Sequence, residues 1–285
     1  MLSRLFIWLQ YILPQHAISR LAGRAASSGR PWLRDRLIRR FAKSYRVNMA
    51  ESERGLDQFS SFNDFFTRSL KPGSRPLADA ATEVLSPADG AVSQLGTIKQ
   101  GRIFQAKGQS YTATELLGGD AALAAKFDGG SFMTIYLSPS DYHRVHMPVG
   151  GSLNSTAYIP GELFSVNTVT AENVPRLFSR NERLSCVFDT DHGSVASVMV
   201  GAMIVASIET VWSGLVTPHR KSIDIQQFGG AAGPAPKLAA GAEMGRFLLG
   251  STVVLLFEPG KVHWSPELKA GHTLRMGQSI GTFAD

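Results

Sequence analysis

A single cysteine, Cys186, is all the thiol that the 285 residues contain. No intramolecular disulfide can form, and the chain needs no oxidising compartment. Set between Ser185 and Val187, this thiol reads as a small buried hydrophobe. Long apolar runs are missing as well. The uncharged stretch 5–13 has nine residues, against the roughly 20 that cross a bilayer. No small-x-small cleavage site follows it, and Arg20 and Arg24 come next, which makes it a poor signal peptide. Two histidines, His143 and His146, stand three apart with neither cysteines nor an HExxH pattern beside them, so no metal is expected. Zinc modules and RNA-binding signatures are absent, so nucleic acid is not the expected partner.

Acidic residues are also scarce at one end. Residues 1–50 hold ten Lys/Arg and one acid, Asp35, for a net +9; the remainder holds 19 basic and 22 acidic residues. Such a block calls for an anionic partner. Leu2, Leu5, Phe6, Leu9, Ile12 and Leu13 recur at helical spacing up to Pro14, with Trp8 and Tyr11 among them. A second helix is predicted from Pro31 to about Arg46, with Leu33, Leu37, Phe41 and Tyr45 on one side. Basic amphipathic helices with aromatic residues suit a membrane interface, although packing on the rest of the chain would explain the same pattern.

Phe59, Phe62, Phe65 and Phe66 trace one face of a short helix that Lys71-Pro72-Gly73 ends. Residues 1–70 are therefore read as a basic helical membrane-association segment and 71–285 as the main domain. There, short apolar runs (130–137, 194–208 and 252–257) alternate with Gly, Pro, Asn and Asp turns. The run 194–208 is broken by Gly201 and reads as two strand segments or one bent strand. The Ala- and Leu-rich stretch 107–126 is the strongest helix candidate in this domain. The fold class is α+β: a mostly antiparallel, barrel-sandwich-like β-domain preceded by amphipathic helices.

The chain is organised around Phe247-Leu248-Leu249-Gly250-Ser251-Thr252-Val253-Val254-Leu255-Leu256-Phe257, two strand-like runs meeting at Gly250. Taken alone, Gly250-Ser251 is a β-bulge between core strands. Two other stretches hold chemistry-bearing residues: Ser86-Pro87-Ala88-Asp89-Gly90 and Asp141-Tyr142-His143-Arg144-Val145-His146-Met147-Pro148. A carboxylate, an imidazole and a hydroxyl are the parts of a nucleophilic triad. Gly-Ser-Thr is not the G-x-S-x-G elbow of an α/β-hydrolase, and strands do not alternate with helices.

Together with Phe62-Asn63-Asp64-Phe65-Phe66-Thr67-Arg68, these stretches, in this order, make the chain resemble the membrane-associated bacterial form of the phosphatidylserine decarboxylase family, over nearly its whole length. The resemblance implies that Asp89 and His146 activate Ser251 to attack the carbonyl of Gly250. An acyl shift and β-elimination then split the precursor into a β chain (1–250) and an α chain (251–285). Residue 251 becomes a pyruvoyl cofactor, which forms a Schiff base with phosphatidylserine and yields phosphatidylethanolamine and CO2. His143 is implied as proton donor or relay, and Arg144 as a group that meets the substrate phosphate or makes a surface ion pair. A homodimer, and a peripheral place on the cytoplasmic face of the cell membrane against anionic lipid, are also implied. Removing residues 1–46 is then expected to release the protein from liposomes while leaving self-cleavage intact. Two other readings use the same residues: a serine hydrolase acting through Asp89, His146 and Ser251, and a pyruvoyl decarboxylase of a soluble amino acid.

Overall fold

The structure, a computed structural model, describes residues 2–203, 207–216, 221–248 and 251–284, with residues 2–4, 232 and 251 described through their backbone. Three helices come first: α1 (Leu2–Ile12), α2 (Gln15–Ala26) and α3 (Pro31–Ser44). The periodicity anticipates α1 and α3; α2 was not expected. A short α4 (Phe62–Phe66) follows, capped by the Ser61 side chain, which accepts from the Asp64 N–H. Phe59, Phe62, Phe65 and Phe66 are all buried. With Ala26, Ile38 and Val47 they form a cluster separate from the main core.

The strands in chain order are β1 (Glu83–Leu85), β2 (Gly90–Thr97), β3 (Arg102–Ala106), β4 (Gln109–Thr112), β5 (Ser131–Leu137) and β6 (Arg144–His146). Next come β7 (Gly151–Ile159), β8 (Arg183–Thr190), β9 (Gly193–Val200), β10 (Ile208–Thr210), β11 (Gly214–Leu215) and β12 (Asp224–Gln227). The last are β13 (Lys237–Leu238), β14 (Glu243–Phe247), β15 (Ser251–Phe257), β16 (Val262–Trp264), β17 (Thr273–Leu274) and β18 (Ser279–Phe283). Eight strands of the nine-stranded main sheet run in the order β12-β7-β8-β9-β15-β5-β2-β17, with β13 added on β7. A four-stranded sheet, β11-β10-β14-β6, and a three-stranded one, β1-β18-β16, complete the frame with the β3-β4 hairpin. The pairings between these strands are antiparallel.

β15 lies between β5 and β9, in register from Ser251↔Leu137 to Phe257↔Ser131. Residues 252–257 are wholly buried, so both faces of this strand lie in the core. The two apolar runs around Gly250 are thus strands of two different sheets, β14 and β15, and Gly250 itself lies outside the described residues. The run 194–208 likewise divides into β9 and β10.

One expectation needs correction. Residues 107–126 do not form one helix: after β4 come only a four-residue α5 (Ala113–Leu116) and a five-residue α6 (Ala121–Ala125). Gly118 and Gly119 between them have φ of 86° and 98°, a conformation that ends a helix. The α+β class with mostly antiparallel sheets holds, and the sheets of the described residues form no closed barrel. Cys186 is fully buried in β8, and burial pushes its thiol pKa up, as expected of an inert thiol.

Glu182, just before β8, is buried, and its carboxyl pKa is pushed up from 4.5 to about 7, chiefly by desolvation, with a Tyr158 hydrogen bond opposing. Below the lower value folded and unfolded chains both hold the proton. As pH rises through the upper value the folded chain must ionise an interior group, so stability falls across this window, by about 3 kcal/mol in all. Glu182→Gln is expected to remove that fall. Thermal unfolding at about pH 5 and about pH 8 should show a smaller difference in the variant than in the parent; equal differences would disprove the assignment.

Candidate active site

The segments that carry the chemistry meet at one end of the main sheet. Ser251 begins β15 opposite Leu137, the last residue of β5, and Ala91 in β2 pairs with Tyr136 on the other side of β5. Asp89 therefore enters the sheet beside the strand end that faces Ser251. Gly90 allows this: a Cβ there would lie 2.4 Å from the Tyr136 carbonyl oxygen. From Leu137 the chain turns, with the Ser138 N–H donating to Asp141 Oδ2 (2.6 Å), and enters β6. β6 pairs with β14, which leads back to Ser251.

Asp89 is nearly buried and held from two sides. Arg75 donates through Nε to Oδ1 (2.8 Å) and through Nη2 to Oδ2, and the Met276 N–H donates to Oδ1 (2.9 Å). The same guanidinium donates from Nη1 to Glu51 Oε2 (2.9 Å). Burial opposes the charge on Arg75, but its two carboxylate partners win and hold its pKa above the ordinary value.

The His146 backbone N–H donates to the Pro87 carbonyl (2.7 Å), which joins β6 to the Asp89 turn. Its ring Nδ1 lies 2.8 Å from the Gly241 carbonyl oxygen and its Nε2 lies 3.1 Å from the Tyr142 hydroxyl. A carbonyl only accepts, so Nδ1 carries the hydrogen and Nε2 accepts from Tyr142. Burial lowers the pKa of this imidazole. Asp89 and His146 are brought to the same end of the sheet, but no hydrogen bond joins them among the described residues; Arg75 holds the acid, and Gly241 and Tyr142 orient the ring. The side chain of Ser251 lies outside the described residues, as does Gly250.

The two histidines, three residues apart at the start of a strand, diverge. His143 is completely buried, with its ring against Phe66 (centroids 4.0 Å apart). Its Nδ1 donates to the Asp141 carbonyl (2.8 Å), while its Nε2 is buried without a hydrogen-bond partner among the described residues. Burial lowers its pKa to about 3, which fixes the neutral form, with a bare lone pair on Nε2. The His143 carbonyl accepts from Phe247 N–H (3.1 Å), tying it to the end of β14.

Arg144 is committed elsewhere. It donates from Nε to the Thr67 carbonyl (2.9 Å) and from Nη1 to Glu243 Oε2 (2.9 Å), a partly buried pair. Of its two expected roles, the ion pair is the one the geometry shows. Arg75, Tyr142 and Gly241 were not singled out by sequence reasoning. Arg75 stands in the Lys71-Pro72-Gly73-Ser74-Arg75-Pro76 string, but its partner lies 14 residues away, and the Gly241 carbonyl is a backbone group that leaves no mark on the sequence.

The family model described as phosphatidylserine decarboxylase matches residues 62–282, and a second, described as PSD, matches residues 5–46. A phosphatidylserine decarboxylase proenzyme of Ectopseudomonas mendocina is 57% identical over 282 residues, covering 99% of both chains. The proenzyme of Pseudomonas aeruginosa is 57% identical over 279 residues (98% of this chain, 96% of that protein). That of Stutzerimonas stutzeri is 55% identical over 285 residues (100% and 96%). With four motif segments gathered at one sheet end and relatives matching from end to end, the chain belongs to the phosphatidylserine decarboxylase family.

Proposed function

We propose that this chain is a self-processing, pyruvoyl-dependent decarboxylase that converts phosphatidylserine to phosphatidylethanolamine and CO2 at a membrane surface. The observation that carries the reading is the position of Ser251. It opens a strand buried on both faces, at the sheet end where Asp89, His143 and His146 gather. Attack of its hydroxyl on the adjacent 250 carbonyl is intramolecular, and such reactions gain up to about 7–11 kcal/mol when geometry is right. The products are chains 1–250 and 251–285.

The site suits a group that must exchange protons away from water, because the Nε2 of His143 is a buried base with no partner among the described residues. A pyruvoyl group at position 251 would supply a carbonyl electron sink for the pair left by departing CO2. Each turnover must place one proton on the former carboxyl-bearing carbon. That proton comes from solvent, and His143 relays it by taking it up at Nε2 and passing it on, since its Nδ1 hydrogen is committed to Asp141. His146 and Asp89 serve the earlier step, with His146 Nε2 as the proton-accepting atom and Tyr142 keeping it oriented.

The N-terminal helices present the lipid-facing surface. Trp8 (61% exposed), Ile12, Leu21 and Trp32 (67%) all project into solvent. No helix among the described residues is long and apolar enough to cross a membrane. The helices are also docked: Gln10 Oε1 accepts from the Ser165 N–H (2.7 Å), and Gln15 Oε1 from the Leu163 N–H (2.6 Å). Ile38 and Ala26 fill the phenylalanine cluster. Removing residues 1–46 would strip these contacts, so substitution of the outer residues is the cleaner test. Full-length protein is expected to form phosphatidylethanolamine from phosphatidylserine vesicles and to co-sediment with them. Trp8→Ser/Ile12→Ser/Leu21→Ser/Trp32→Ser should split into two chains normally yet stay in the supernatant. Unchanged co-sedimentation would refute the membrane role, and a parent protein that forms no phosphatidylethanolamine would refute the activity. The enzyme acts on the cytoplasmic face as a peripheral protein, and as a homodimer.

A further inference from the structure

Three arginines, one buried and two partly buried, lie in the segments around the two histidines, and two are spent. Arg75 is held by Asp89 and Glu51, and Arg144 by Glu243 and the Thr67 carbonyl. Arg68 is different. It is 3% exposed, and no carboxylate pairs with it among the described residues. Among the described residues only its Nη2 is hydrogen-bonded, with the carbonyls of Ser140 (3.2 Å) and, at a longer distance, Asp141 (3.5 Å). Its Nε and Nη1 are buried without acceptors among the described residues. A guanidinium in that condition is expensive: burial alone lowers its pKa, and unmet donors add to the cost.

The position of this cation is specific. Arg68 closes the Phe62–Arg68 motif just after α4, and its guanidinium lies 5.6 Å from the Phe65 ring centre. The Asp141 carbonyl that it approaches is the one that receives the Nδ1 hydrogen of His143. One backbone oxygen thus anchors both side chains, each with unmet nitrogen atoms. Phe247, three residues before the 250–251 link, donates to the His143 carbonyl.

We propose that Arg68 binds the phosphodiester of the phospholipid headgroup in the processed enzyme. This rests on the decarboxylase reading. The substrate carries two anions, a phosphodiester and a carboxylate, and the chemistry separates them. The carboxylate surrenders its charge as CO2 leaves, so a fixed cation on it would stabilise the ground state more than the transition state. The phosphodiester keeps its charge throughout, and a cation on it aids binding without opposing the reaction. Arg68 Nε and Nη1 have no exposed surface in this structure, so binding the anion requires the packing over them to move.

The test uses full-length wild type, Arg68→Lys and Arg68→Gln, assayed on phosphatidylserine in mixed micelles. Glycerophosphoethanolamine serves as a soluble headgroup probe. Arg68→Gln is expected to split into two chains like the wild type. Its KM should rise about 10-fold to 100-fold, the range for losing a charge-assisted hydrogen bond, with kcat changed less than about threefold. Inhibition by glycerophosphoethanolamine should vanish in Arg68→Gln and persist, weakened, in Arg68→Lys. A fall in kcat at constant KM, with inhibition intact, would overturn the proposal and give Arg68 to the carboxylate that cleavage creates at residue 250. Failure of both Arg68 variants to self-cleave would overturn it too. A wild-type protein that neither cleaves nor decarboxylates would strike the decarboxylase reading instead, so the two failures are distinct.

Discussion

Ser251→Ala is expected to run as one 30.8 kDa chain, where the wild type runs as two that part between residues 250 and 251. Decarboxylation should be abolished, since no other residue can supply the ketone. The 35-residue fragment from 251 to 285 should resist Edman degradation in the wild type and weigh less than an N-terminal serine requires. The structure adds a reason to expect a clean result. Ser251 pairs through its backbone with Leu137 in β5, and the backbone groups of an alanine would make the same pairing. The variant should therefore keep its thermal stability while losing all chemistry. A wild type that stays one chain of full mass would remove the cofactor, and a serine hydrolase, testable with a fluorophosphonate probe, would take its place.

Arg75→Met is expected to cost the most stability. The Arg75 and Asp89 side chains are 8% and 11% exposed. Removing the cation leaves a carboxylate in the interior with a single backbone donor, Met276 N–H. Breaking one side of a buried pair costs about 3–5 kcal/mol, out of the roughly 5–15 kcal/mol typical of a whole domain. Scanning calorimetry on the uncleaved Ser251→Ala background should show a Tm drop on the order of 10 °C. Arg75→Met combined with Asp89→Leu removes both charges and should recover most of that loss, because a matched apolar pair avoids the desolvation cost. With Ser251 restored, the double variant should fold but remain uncleaved, since it lacks the acid. Recovery of both stability and cleavage would show that Asp89 is structural and no part of the chemistry.

Local patterns anticipated the fold where the pattern was itself local. The β-branched runs became β5 and β15, Gly201 marked a real break, and the phenylalanine spacing marked a real cluster. Residues 107–126 misled because alanine and leucine favour helix in isolation, while the consecutive Gly118 and Gly119 divide the segment. α2 was overlooked although Ile18, Leu21, Ala22 and Ala25 recur at helical spacing; its buried residues are instead Gln15, Ser19 and Ala26, and Leu21 faces solvent. At the site, Asp89, His143 and His146 stood out as residue types in compact strings. Their partners did not: the Gly241 carbonyl is 95 residues from the ring that it orients. Which histidine faces which wall also depends on β6 being a strand, and three residues were too few to show it.

The place of β15 in the middle of the nine-stranded sheet has a consequence for the life of the molecule after processing. A cut at its first residue severs a covalent thread but leaves β15 bonded to β5 on one side and β9 on the other, with β17 on β2 and β18 on β1. The smaller chain is then a keystone and not a ligand: it has no folded form of its own, and the larger chain has no closed core without it. Such a pair does not exchange partners, and once pulled apart by denaturant it has lost the short connection that guided the strand to its slot. Maturation of this fold thus converts a protein able to refold into one that folds a single time.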